Sequence, residues 1–113
     1  MDLKDRLRLF YTSEGIFGQS ALALALQALE PFKRLHRKYE EADAYEPEAH
    51  RFPQLVLDAL YDAFDKQYRT FFDAIDNEPI SARASLQSTL IDYHHEVVHQ
   101  LERERAELWR RRE

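Results

Sequence analysis

The stretch "PQLVLDALYDAFDKQYRTFFDAID" (Pro53–Asp76) decides the fold of this 113-residue chain. Large apolar side chains recur in it every three or four residues, which is the spacing of one face of an α-helix. These side chains are Leu57, Leu60, Tyr61, Phe64, Tyr68, Phe71 and Ile75. We therefore predict a long helix from Pro53 to about Asp76, with this stripe turned towards a core.

The helical pattern resumes after "DNEPIS" (Asp76–Ser81), which is predicted to be a turn with Ser81 as the N-cap of the next helix. That helix is predicted to run from Ser81 to about Arg111. Its apolar stripe consists of Leu86, Leu90, Tyr93, Val97, Leu101 and Leu108. On the other side, "EEADAYEPEAHRFP" (Glu40–Pro53) carries two prolines and is predicted to be a loop.

The stretch "ALALALQAL" (Ala21–Leu29) alternates with a period of two, which is typical of a strand. Alanine and leucine are nevertheless strong helix formers, and strands favour β-branched residues, so we predict a helix here. Pro31 either kinks this helix or opens the next one. Whether residues 2–29 form one helix or two stays open, because Thr12 and Ser13 offer an N-cap between them.

Together these elements predict an all-α fold, an antiparallel helical bundle of three long helices plus a short N-terminal helix. The short helix is indicated by the spacing of Leu3, Leu7, Phe10 and Tyr11. The length of the chain favours a single domain over residues 1–113. An apolar content of 44% argues against disorder.

Composition excludes several classes of function. With only two glycines there is no phosphate-cradling loop, and without cysteine there is no disulfide, thiolate metal site or cysteine nucleophile. The net charge is −5, and residues 43–80 carry nine acidic and three basic side chains, which argues against binding to nucleic acid. The N-terminal "MDLKDRLRLF" lacks the apolar core of a signal peptide, and no run is long enough to span a membrane. We expect a soluble cytoplasmic protein.

One motif carries a specific chemical hypothesis. The stretch "IDYHHEVVHQLE" (Ile91–Glu102) contains His-Glu-x-x-His and over about ten residues resembles the helix of zinc peptidases. The resemblance implies that His95 and His99 bind zinc and that Glu96 is the general base. The metzincin group of zinc peptidases has a third histidine ligand further along the chain. That ligand is missing here, because Arg105 stands at its position. A small zinc-dependent hydrolase is therefore the alternative hypothesis, and an ordinary polar helix face is favoured.

A di-iron site is a further metal hypothesis for the same residues. Glu96 and His99 match half of the Glu-x-x-His pattern of di-iron bundles, but the chain has no second copy of it. Asp58, Asp62 and Asp65 recur on one helix flank and suggest either a Mg²⁺ site or a solvated face, of which we favour the solvated face.

Two further features bear on partners. The run "KRLHRK" (Lys33–Lys38) suggests contact with an acidic partner, with a phosphate backbone or with the acidic helix 53–76. The helix 81–111 would extend over about 45 Å, and the helix 53–76 over only about 35 Å. The last two turns of the helix 81–111 would therefore have no neighbour in the helix 53–76. Trp109 lies there, and tryptophan is enriched at interfaces.

We therefore predict a homo-oligomer whose interface contains Leu101, Arg105, Leu108 and Trp109. The favoured function is a small acidic, non-enzymatic protein-interaction module, such as an adaptor, inhibitor or assembly protein. Neither a cofactor nor a metal is required by this hypothesis, and the sequence does not identify the protein partner.

Overall fold

A computed structural model describes residues 2–12, 20–42 and 47–110, without the side chains of residues 47–50, 109 and 110. Within these ranges the chain forms four helices and no strand, which confirms the predicted all-α bundle. The helices are α1 (Leu3–Tyr11), α2 (Ala21–Glu41), α3 (Pro47–Ile75) and α4 (Ile80–Arg110). None of them is long and apolar enough to cross a membrane.

The alternating stretch Ala21–Leu29 is helical, as its alanines and leucines predict. Ser20 begins α2, because its Oγ accepts a hydrogen bond of 3.0 Å from the backbone N–H of Ala23. Residues 2–29 therefore contain two helices, and residues 13–19 between them lie outside the described part of the chain. Thr12, which we considered as an N-cap, instead ends α1.

The predicted loop over Glu40–Pro53 is wrong at both ends. Helix α2 continues through Pro31 to Glu41, and α3 begins at Pro47 instead of Pro53. Proline is favoured at the first helical position, where its missing N–H is not needed, so Pro47 starts a helix that good helix formers continue. Pro53 is fully buried and lies inside α3. The helix continues through it although proline lacks the backbone N–H for one helical hydrogen bond.

The turn between α3 and α4 is held by one arginine. The Nε of Arg83 donates to the carbonyl oxygen of Glu78 at 2.8 Å, and a terminal nitrogen donates to that of Asp76 at 2.9 Å. A positive side chain there also complements the negative end of the α3 dipole. The prediction that Ser81 caps α4 is wrong, since α4 already includes Ile80.

The core consists of two clusters that follow each other along the α3–α4 pair. The first cluster unites α1 with the ends of α3 and α4 nearest their turn, through Leu3, Leu7, Phe71, Ile75, Leu86 and Leu90. The second unites α2 with the opposite ends, through Leu29, Leu57, Phe64, Val97, Leu101 and Leu108. The third position of the bundle is thus shared by α1 and α2, each of which covers one half of the α3–α4 pair.

Tyr11 joins α1 to this core with an unsatisfied hydroxyl group. Its ring stacks on that of Tyr93, with 5.3 Å between the ring centroids. Burial raises the pKa of Tyr11 to about 12, and the neighbouring Tyr68 adds to the rise. The hydroxyl has no hydrogen-bond partner among the described residues.

We predict that Tyr11→Phe keeps or slightly increases stability at neutral pH, because no hydrogen bond is lost with the hydroxyl. The pKa of Tyr11 is about 12 in the folded protein and about 10 in the unfolded chain. Ionisation of the phenol therefore favours the unfolded chain, and the stability of the fold should fall as the pH rises from 10 to 12. Urea denaturation between pH 8 and 12 should therefore show a steeper alkaline loss for the wild type than for Tyr11→Phe. Parallel curves for the two proteins would contradict the prediction.

Candidate functional site

The His-Glu-x-x-His motif lies on the outward face of α4. Leu90, Val97 and Leu101 form the buried side of this helix. At about 100° per residue, His95 and His99 fall almost opposite this side, and both are exposed. The two imidazoles make no hydrogen bond or ion pair with a described residue, so their nitrogens face solvent.

An open surface depression of about 420 Å³ surrounds the two histidines. It is lined by Asp92, His95, Glu96, Val98, His99 and Glu102, all of which belong to α4. Catalytic zinc needs three protein ligands, and the described residues contain no group of three that is arranged to hold a metal ion. The hydrolase hypothesis therefore gains no third ligand from this part of the chain.

The adjacent histidine, His94, has a different environment that the sequence motif did not indicate. Its ring faces α3 and stacks on Tyr68, with 4.2 Å between the ring centroids. Burial lowers the pKa of His94; the carboxylate of Asp65 opposes this shift and His95 adds to it. His94 is thus a packing residue between α3 and α4, whereas His95 is available to a ligand.

Two of the four predicted interface residues are covered by the chain itself. Leu101 is 0% exposed and Leu108 is 8% exposed, because both pack in the second core cluster. The predicted overhang of α4 is wrong: α3 has 29 residues and α4 has 31, so α3 extends along almost the whole of α4. The side chain of Trp109 lies outside the described part, and self-association stays a prediction.

The third predicted interface residue, Arg105, is bound within the chain. Its guanidinium lies 3.0 Å from the carboxylate of Asp58 and 4.9 Å from the centre of the Tyr61 ring, so that it links α4 to α3. Asp65 pairs with Arg69 at 2.8 Å. Two of the three aspartates in the row thus have basic partners, which fits a solvated charged flank better than a Mg²⁺ site.

Lys33, the first residue of the basic run Lys33–Lys38, joins α2 to α4, whereas Arg37 of the same run pairs with Glu30 within α2. The hypothesis that the run also contacts the helix 53–76 stays a prediction. Lys33 Nζ lies 2.7 Å from a carboxylate oxygen of Glu104 and 3.5 Å from one of Glu107. Burial lowers the pKa of Lys33, but the hydrogen bond to Glu104 and the nearby carboxylates outweigh it and raise the pKa above 10.5. The lysine is therefore charged and structural.

The surface that the sequence analysis missed is apolar and lies on α2 and α3. Four large apolar side chains there are exposed: Leu24 (42%), Leu35 (39%), Phe52 (42%) and Leu55 (46%). Three small exposed residues, Ala28, Ala59 and Ala63, lie on the same sides of these two helices. We call these seven residues the α2–α3 face. A sequence signal existed, because Leu24, Ala28 and Leu35 are spaced as one side of a helix.

The two halves of this face are neighbours on the bundle. Lys33 lies on the flank of α2 that borders α4, and Asp58 lies on the flank of α3 that borders α4. On α2 the apolar residues lie on the opposite flank, and on α3 Phe52 and Ala63 do as well, so they meet along the outer side of the α2–α3 pair. Leu55 lies at the edge of the face, on the side of α3 turned directly away from the core. Since α2 and α3 are antiparallel, Leu35 and Phe52 lie at similar heights near the connection between the helices.

Comparison with protein-family models, with curated proteins and with solved structures finds no match for this chain. Function must therefore be inferred from the surfaces of the chain. Within the described residues these are the apolar α2–α3 face and the exposed pair of histidines on α4, which lie on different helices.

Proposed function

We propose that this protein is a non-enzymatic protein-interaction module that binds an amphipathic helix of a partner protein on the α2–α3 face. The exposed apolar side chains of that face are the observation that carries the proposal. Contiguous apolar surface is uncommon on monomeric proteins and marks interaction sites. Aromatic anchors such as Phe52 supply much of the binding energy at such sites.

The shape of the face favours a helix as its occupant. Leu24 to Leu35 on α2, and Phe52 to Ala63 on α3, each extend over about 17 Å, which is three turns of a helix. The exposed alanines of the face leave room for larger side chains of the partner. An apolar stripe at i, i+3, i+4 and i+7 of a partner helix would match this length of apolar surface.

Charge indicates the chemistry of the partner. Lys38 borders the face near Leu35, and Lys66 borders it near Ala63. Both lysines are exposed and neither forms an ion pair with a described residue. A partner helix with glutamates beside its apolar stripe would complement them, and such pairs favour the correct partner and speed association.

The test uses a synthetic helical peptide with leucines at i, i+3, i+4 and i+7 and flanking glutamates, followed by fluorescence anisotropy. We expect binding that Leu35→Ser with Phe52→Ser weakens about tenfold or more, since two anchors are lost. Ile91→Ser is the matched control, because Ile91 is 38% exposed but lies on α4. It should leave the affinity unchanged.

Three results would contradict the proposal: equal binding of a scrambled peptide, equal binding by the double variant, or no binding at all. Light scattering tests the predicted homo-oligomer on the same samples. A wild type with twice the 13.5 kDa mass of the chain that becomes monomeric in the double variant would assign the face to a second copy instead.

A further inference from the structure

We propose that His95 and His99 are half of a zinc site that is completed by the same two histidines of a second copy of this chain. Zinc would then join two molecules through the outward faces of their α4 helices. This site shares no residue with the α2–α3 face, so it does not depend on the proposed function, and each can fail without the other.

The first argument concerns the two side chains. Histidines four residues apart lie on the same side of a helix and can chelate one metal ion. His95 and His99 are both exposed, and neither is occupied by a hydrogen bond or ion pair within the described part of the chain. Their neighbour His94, in contrast, packs against Tyr68 of α3. It cannot bind the same metal ion without breaking this contact.

The second argument concerns the number of ligands. Structural zinc sites are almost always tetrahedral, with four protein ligands. One chain presents two imidazoles, and the described residues contain no group of three or more metal-binding side chains. A two-fold axis beside α4 repeats the pair and supplies the four nitrogens, since such an axis brings the same patch of both molecules together.

The third argument concerns charge. Asp92, Glu96 and Glu102 line the same depression as the histidines. Two such acidic faces repel each other in the absence of metal, because like charges would be brought together. A divalent cation between them reverses the sign of the local field. Contact through this face is therefore coupled to zinc and does not occur without it.

The experiment uses tag-free protein, stripped with chelator and titrated with zinc chloride. Multi-angle light scattering should show the mass doubling from its metal-free value as one zinc ion is bound per two chains, and chelator should reverse the change. His95→Ala with His99→Ala should abolish both effects without a change in the helical signal, because both side chains are exposed.

Two controls separate the histidines from general attraction of zinc to an acidic surface. Asp92→Asn with Glu96→Gln removes two carboxylates from the same depression but keeps both imidazoles, and should retain the zinc-dependent doubling of mass. Visible absorption of Co²⁺ added in place of zinc should have the intensity of a tetrahedral site. One zinc ion per chain without a change in mass, or doubling that survives the loss of both histidines, would overturn the proposal.

Discussion

Leu7→Asp is expected to reduce the free energy of unfolding by at least about 4 kcal/mol, an exceptionally large effect for one substitution. Leu7 is fully buried in the first core cluster, whose buried members are all apolar, so the new carboxylate would lose its hydration without gaining an ion-pair partner among them. Only Leu3 and Leu7 are buried residues of α1, which is nine residues long. The substitution should therefore also detach α1 from Phe71 and Leu90.

Urea denaturation followed by circular dichroism measures the loss. Lys4→Ala is the matched control: Lys4 is exposed on the same helix, and its loss changes the net charge by the same amount as Leu7→Asp. The control should change the stability by no more than about 0.5 kcal/mol. A Leu7→Asp protein as stable as the control would show that α1 does not pack on α3 and α4.

Leu90→Ala is expected to cost about 2–5 kcal/mol, the usual range for truncating a buried leucine. Leu90 is fully buried in the first half of α4, where the removal of its side chain leaves a cavity against α1 and α3. Ile91→Ala is the control, because the next residue on the same helix is 38% exposed. Thermal melts should show a large shift for Leu90→Ala and a small one for the control; equal shifts would mean that the buried side of α4 is assigned wrongly.

Much of the fold follows from periodicity. The stripe in α3 predicted the burial of Leu57, Phe64, Phe71 and Ile75, because residues at helical spacing must share one side. The start of α3 was mispredicted, because a proline either breaks a helix or begins one, and the sequence around Pro47 and Pro53 does not distinguish these roles.

The surfaces were harder to predict than the helices. Leu101 and Leu108 were assigned to an interface, since the sequence does not state which helices cover them. The early start of α3 and the position of α2 together place them inside the core. The α2–α3 face was missed for a related reason. Its leucines and alanines serve helix formation and core packing equally well, and their exposure depends on the absence of a fifth helix from the described bundle.

The division of the third bundle position between α1 and α2 has a consequence during synthesis on the ribosome. Helix α1 leaves the exit tunnel before α3 and α4, so its partners Phe71 and Leu90 are made much later. At about 5–20 residues per second, Leu7 waits roughly 4 to 17 seconds for Leu90. A nine-residue segment is too short to stay helical alone. The nascent chain therefore carries the apolar side chains of α1 unfolded, as a target for chaperones, until the α3–α4 hairpin closes and gives them a place to dock.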